Sequence, residues 1–339
     1  MRRNLVLFGL ILTTLLGTGC ARGERVVVYS SQDREFSEPI LRVYQKLKNI
    51  KIDVKYDVES TKTVGLTQVL MTEGGAGRTR CDLFWNNEIL NTLRLKRKGL
   101  LAPFWPANAK DYPDAFKDKE GQWYGFAARA RVLLVNTELV AEKDRPKRLE
   151  ELTDAKWKGK VGIAKPLSGT TATHAACLFA AWGSEKAKSY YHALKLNDVH
   201  VYSGNKQVAM AVGSGQIALG MTDTDDAMGE VEEGRPVAIV YMDRGAEELG
   251  TLYIPNTLAA MKGAPNGLEG MYLANELLGP EVEEALAAGP SAQIPLNGKV
   301  TVTARVETPK TVHAMKVDWE KAVDYWDEAM RFLGGEFGG

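Results

Sequence analysis

Two successive series of apolar strands alternating with amphipathic helices run through this chain, and that grammar restricts the fold more than any other feature. Residues 25–29 (RVVVY) are a β-branched run, 39–47 carry helical spacing through Ile40, Val43, Tyr44 and Leu47, and 51–58 alternate as a strand does. Residues 64–71 are helical again and 81–85 form a third apolar strand. Strands separated by helices imply a mostly parallel sheet wrapped on both faces. The pattern restarts beyond a proline-rich aromatic stretch near 103–113, with strands expected at 131–135, 160–164, 199–202, 217–221 and 237–241. Helices are expected between them at 173–182, 185–194 and 205–213. A further apolar strand at 250–261 could cross back to the first series, and 318–333 reads as one terminal helix with Trp319, Val323, Trp326, Met330 and Leu333 on a single stripe.

At 339 residues the chain exceeds the usual size of one core, so two lobes are expected. Lysine and arginine number 43, as do aspartate and glutamate, which leaves no overall basic field and excludes nucleic acid as an expected partner. Arg2 and Arg3, the apolar run 5–16 and Gly17-Thr18-Gly19-Cys20 form an export signal, residues 1–20, too short to span a bilayer. Its end resembles a bacterial lipoprotein box, which implies acylation of Cys20 and an exported, lipid-anchored protein whose only membrane contact is that lipid. The alternative is an ordinary cleaved signal ending in a chance cysteine. Cys81 and Cys177 sit in apolar runs and read as buried free thiols rather than a disulfide framework.

Several short stretches carry a family resemblance in their order and spacing. They are Val28-Tyr29-Ser30-Ser31, Cys81-Asp82-Leu83-Phe84-Trp85, Tyr124-Gly125-Phe126, the run 129–136, and Ser168-Gly169-Thr170-Thr171. Asn205-Lys206-Gln207-Val208-Ala209 and Gly215-Gln216-Ile217-Ala218-Leu219-Gly220 follow. Together they resemble the extracellular solute-binding proteins of ATP-driven importers, in the ferric-iron, thiamine and 2-aminoethylphosphonate branch. The resemblance implies an α/β type II periplasmic-binding fold with a ligand cleft between two lobes. Lobe 1 would hold 24–127 plus about 252–296, and lobe 2 would hold 128–251 plus about 297–339. It further implies a monomer that does no chemistry, needs no cofactor, and hands a small molecule or metal ion to an ABC permease and its ATPase.

Iron-binding relatives are expected to use a histidine after the first strand, a glutamate after the third and adjacent tyrosines in the second lobe. Here Asp33 stands for the histidine, Asn87 and Glu88 lie near the glutamate position, and Asp225 and Asp226 replace the tyrosines. Asp33, Glu88, Asp225 and Asp226 are therefore the candidate metal ligands, hard oxygen donors suited to hard cations and equally to an organic ammonium group. Asp223 belongs to the same run but opens no EF-hand, since Met228 and Gly234 occupy the positions that need Gly and Glu. Asp225 or Asp226 could instead cap a helix expected to begin near Ala227. Ser168, Gly169, Thr170 and Thr171 precede a helix and could hold an anion at its N-terminus, or merely cap it. Ser30 and Ser31 end the first strand, where open α/β sheets place ligands. Arg129 or Arg131 could pair with an anion. The alternative ligand is thus a zwitterion such as an aminophosphonate. An enzyme reading rests on His174 and Cys177, one turn apart on an apolar helix, where a buried core pair is the simpler account. Tyr190 and Tyr191 read as packing.

Overall fold

The computed structural model of the chain describes residues 25–57 and 64–338, so the export signal and Cys20 lie outside the described residues. The first series is β1 (Arg25–Ser30), α1 (Arg34–Lys48), β2 (Lys51–Tyr56), α2 (Val64–Gly75), β3 (Leu83–Asn86), α3 (Leu90–Arg97) and the short β4 (Leu101–Ala102). The second is β5 (Tyr124–Asn136), β6 (Val161–Ala164), α4 (Gly169–Trp182), α5 (Ser184–Leu196), β7 (His200–Tyr202), α6 (Asn205–Gly213), β8 (Leu219–Asp223), α7 (Thr224–Glu232) and β9 (Val237–Val240). Then follow β10 (Tyr253–Met261), α8 (Gly267–Leu277), α9 (Pro280–Ala288), α10 (Trp319–Asp324) and α11 (Trp326–Phe337).

A curled sheet joins the strands in the order β2-β1-β3-β10-β5-β8-β6-β7, with β4 beside β10 and β9 beside β5. β1, β2 and β3 are parallel, as are β8, β6 and β7. The β-branched run of β1 needs apolar residues on both faces because both are covered. Val26 and Val28 enter a core with Leu83, Trp85 and Leu258, while Tyr29 enters another with Phe84, Leu90 and Leu93.

β5 is longer than the expected 131–135 because it serves two sheets. Tyr124 to Ala130 pair with β10, and Arg131 to Asn136 pair with β8 and β9. β5 is therefore the strand that passes from one part of the sheet to the other, with β10 paired along its first half. Along that pairing, Ala127 has a left-handed φ of 43° and the register shifts between Pro255 and Asn256. The Glu283 carboxylate accepts from Ala127 N at 2.5 Å, and Asn256 Nδ2 donates to Ala127 O.

The single terminal helix expected over 318–333 is instead two. Asp318 caps α10 by accepting from Lys321 N at 3.0 Å, and the chain turns at Tyr325 so that α10 packs on α3 and α4 while α11 packs on α4 and α5. One straight helix could not follow both surfaces. Trp326 and Val323 are buried there as packing residues.

Candidate functional site

Four helices begin around one small cavity. α1 starts after Asp33, α4 after Ser168, α6 after Gly204 and α7 after Asp223. Their first turns present unfulfilled N–H groups and the positive ends of the helix dipoles, which favour negative charge. None of the N-cap side chains of Asp33, Ser168 and Asp223 bonds its own helix, and Gly204 has no side chain to do so. The cavity is about 70 Å³, and its walls include Asp33, Asn87, Arg129, Lys165, Asn205, Lys206, Asp225 and Asp226. Gly169 makes the bend into α4 with φ +60°, open on the side where a Cβ would stand. That conformation suits glycine and strains other residues.

The acidic run resolves into distinct roles. Asp223 stands at the N-cap position of α7, and Asp225 and Asp226 lie in its first turn, so the helix begins before the expected Ala227. Ligand-type oxygens of Asp223, Asp225 and Asp226 lie within 4.8 Å of one another. Asp223 is committed to protein: Arg131 Nη1 is 2.7 Å from Oδ1, and Thr170 Oγ1 and Asn205 Nδ2 donate to Oδ2 at 2.5 and 3.0 Å. Burial pushes its carboxyl up, but Arg131 and Arg129 hold it below the usual range. Asp225 has no such set of donors. Its Oδ2 is 3.5 Å from Arg129 Nε, and Oδ1 accepts from Asp226 N at 3.1 Å. Burial pushes the Asp225 carboxyl up to about 7, with Asp223 and Asp33 adding to the effect and Arg129 opposing it.

Arg129 is buried between the lobes. Its Nη1 donates to Gln32 Oε1 at 3.2 Å and Asn256 Oδ1 at 3.4 Å, and Nη2 donates to Asn87 O. Its Nε makes no hydrogen bond and faces the carboxylates. Arg131 instead belongs to Asp223 and the Thr170–Asn205 pair.

Glu88 requires a correction as a candidate metal ligand. Its carboxylate turns away from the cavity to the start of α3, accepting from Leu90 N at 2.7 Å, Asn91 N at 3.1 Å, Asn86 Nδ2 at 2.9 Å and Thr173 Oγ1 at 2.7 Å. Satisfying a helix N-terminus is the stronger demand on a fully buried carboxylate, and Asn87 lines the cavity in its place. Ser30 and Ser31 line an adjoining hollow with Tyr56 and Asp57 rather than this cavity. Ser31 Oγ donates to Asn86 Oδ1 at 2.7 Å and accepts from Asn87 N at 3.2 Å, so it holds the β3 loop in place. Thr170 and Thr171 also serve the framework, through Asp223 and through Asn205 Oδ1 at 3.1 Å. Lys165, Asn205, Lys206 and Gln207 line the cavity as well. The resemblance motif 205–209 had marked three of these four without assigning them a role.

His174 and Cys177 lie inside the core. Burial holds the His174 imidazole neutral, pushed down to about 3, and pushes the Cys177 thiol up. Tyr190 and Tyr191 stack edge to face with Trp182 and Phe337, as expected for packing residues; no tyrosine among the described residues lines the small cavity, while Tyr202 lines the larger adjoining hollow that Asp225 and Asp226 also border.

Residues 90–323 match the family described as "Bacterial extracellular solute-binding protein". The chain is 25% identical over 300 residues to the "Major ferric iron-binding protein" of Neisseria meningitidis, covering 86% of this chain and 87% of that protein. It is 25% identical over 196 residues to the "Fe(3+)-binding periplasmic protein" of Serratia marcescens, where the match spans 58% of this chain and 56% of the relative. Among solved structures, iron-bound HitA from Pseudomonas aeruginosa superposes with a TM-score of 0.82 at 22% identity, over 92% of this chain and 99% of that one. That likeness establishes the two-lobed type II binding-protein fold.

Proposed function

The chain belongs to the bacterial extracellular solute-binding proteins, and we propose that it captures a hard metal cation of the ferric class, alone or with an accompanying anion, for delivery to an ABC permease and its ATPase. The observation that carries this reading is the convergence of the Asp223, Asp225 and Asp226 oxygens within 4.8 Å at the wall of a 70 Å³ cavity. Asp225 and Asp226 would supply the ligand oxygens with Asp33 across the cleft, while Asp223 holds the frame. The small cavity has room for an ion and one small companion. The iron-binding relatives point the same way. In this reading the protein binds and releases without catalysis, and the His174 imidazole and Cys177 thiol on which an enzyme reading rests are both buried and uncharged. It would work as a monomer. Lobe 1 would hold 24–127 with about 252–296, and lobe 2 the remainder of the mature chain.

A second reading has its own support. Lys165, Lys206 and the N-termini of α4 and α6 give the same cavity a cationic wall, which would suit the phosphonate of a zwitterion whose ammonium meets the aspartates. Elemental analysis of natively purified protein, beside intact mass under non-denaturing conditions, separates the two. About one equivalent of metal supports the first reading; a bound organic mass without metal replaces it with the second.

Cys20 would carry the lipid anchor. The Cys20→Ser protein is then expected to leave the membrane fraction for the soluble exported pool. Unchanged fractionation would remove the anchor while leaving export standing.

A further inference from the structure

The balanced charge of the whole chain conceals an asymmetry at one end of the first lobe. β1, β2 and β3 are parallel, so they all start at the end remote from the cavity, and α1 returns the chain to that same end. β10 runs antiparallel to β3 and finishes there, with Met261 N bonded to Asp82 O and Lys262 N to Leu100 O. The connections at this end carry exposed Lys46, Lys48, Lys51, Arg78, Lys98 and Lys262. Asp53, Glu73, Glu269 and Glu276 offset them only in part, with Lys51 3.2 Å from Asp53 and Lys48 3.1 Å from Glu276, while Glu320 and Asp324 are taken up by Arg97. Two large apolar side chains stand out at the same end, Leu47 at 71% exposure and Leu268 at 69%.

The chain enters the fold at this place. Arg25 opens β1, five positions after Cys20. Five residues reach at most about 17 Å when fully extended. We infer that the remote end of the first lobe is a membrane-facing surface, which rests on an anionic phospholipid layer through its lysines and arginines with Leu47 and Leu268 at the headgroup boundary. The inference rests on the reading that Cys20 is lipidated. The tether length then keeps this end within reach of the headgroups, and the basic surface decides which way the lobe lies against them. The cavity, at the opposite ends of β1 and β3, is consequently held away from the membrane surface. A cation near an anionic surface gains attraction within about a Debye length, and apolar side chains of this kind insert at the interface.

The test uses the exported, unacylated Cys20→Ser protein and vesicles of defined composition. At low salt, partition onto vesicles containing phosphatidylglycerol should exceed that onto pure phosphatidylcholine by at least about ten-fold, at roughly five-fold per engaged charge. High salt should abolish the difference. Lys46→Glu combined with Lys262→Glu should remove most of it, while an unchanged Tm and circular-dichroism spectrum show that the fold is intact. A fluorophore at Leu47→Cys should be quenched by headgroup nitroxides, whereas one at Met210→Cys on the second lobe should not. Equal partition onto both vesicles, insensitivity to the charge reversals, or binding to heparin without binding to vesicles would each overturn the proposal. Because vesicle binding is measured without the lipid, its failure leaves the anchor untouched. Failure of the anchor appears separately, in the fractionation of the wild-type protein.

Discussion

Asp223 and Asp225 stand two residues apart, both buried, and their surroundings give them opposite tasks. Asp223 neutralises Arg131 and accepts two further hydrogen bonds, so Asp223→Ala leaves a buried guanidinium unpaired and should lower folding stability by about 3–5 kcal/mol. Asp225 meets Arg129 only at 3.5 Å and carries a raised pKa, the state of a carboxylate short of partners. Asp225→Asn should therefore leave the unliganded protein as stable or more so, yet weaken ligand binding by about 1–3 kcal/mol in calorimetry. Wild-type affinity in Asp225→Asn would end the carboxylate-site reading. His174 supplies a pH dependence. Its folded pKa of about 3 lies below the ordinary 6.5, so the unfolded chain takes up the proton first and stability falls as pH drops through 6.5 toward 3. The slope is about 1.4 kcal/mol per pH unit for one such group. Asp225 works in the opposite sense, because a raised carboxyl pKa makes the folded state more stable as pH falls from about 7 toward its ordinary 3.8. Urea titrations should accordingly show the acid-side loss becoming shallower in His174→Gln than in wild type.

Among the elements, the crossing strand β5 holds the unusual backbone. Ala127 sits at a positive φ within β5, a conformation costing about 1 kcal/mol or more, and it persists because both of its backbone groups are held. Glu283, at the buried side of α9, accepts from Ala127 N, from Leu296 N at 3.0 Å and from Asn297 N at 2.6 Å. Asn256 holds the Ala127 carbonyl and also accepts from Arg129, so the bend is connected to the cavity by two hydrogen bonds. Glu283→Gln places an amide NH₂ against these backbone donors. It should cost about 1–3 kcal/mol and raise hydrogen exchange at Ala127, Leu296 and Asn297 before the rest of the sheet. Exchange that rises uniformly across the protein would mean that the crossing is not a separate unit.

At the scale of the molecule, the lobes already touch beside the cavity. Thr173 Oγ1 reaches Glu88 at 2.7 Å, Lys206 Nζ reaches Glu35 at 3.1 Å, and Arg129 bonds Asn87 O. The exposed Lys206–Glu35 pair contributes little, the buried Thr173–Glu88 and Arg129–Asn87 bonds contribute more, and a ligand that engages both walls would add to them. Ligand at about a hundred times its dissociation constant should add about 2.7 kcal/mol of stability, read as a rise in Tm. A saturating metal that binds without moving Tm would show that the bound form is not the folded form stabilised by closure.

The alternating strands and helices were legible in the sequence because periodicity is local: Val26, Val28 and Tyr29 declare a strand buried on both faces wherever the rest of the chain goes. The Asp223–Asp226 run and the Ser168–Thr171 turn were equally visible, since each lies in a few consecutive residues at a strand-to-helix junction. Partnership was not visible. Asp223 is silenced by Arg131, Thr170 and Asn205, which are 92, 53 and 18 positions away and meet it only through the registers of β5, β8 and β6. Glu88 and Asn87 are neighbours, and only the start of α3 determines that the acid turns inward while the amide faces the cavity. The break at Tyr325 likewise depends on two packing surfaces from distant segments. Residue pattern determines which faces a chain must bury. Which charges then meet depends on strand register and helix ends, because a buried charge is settled by partners that sequence spacing does not bring together.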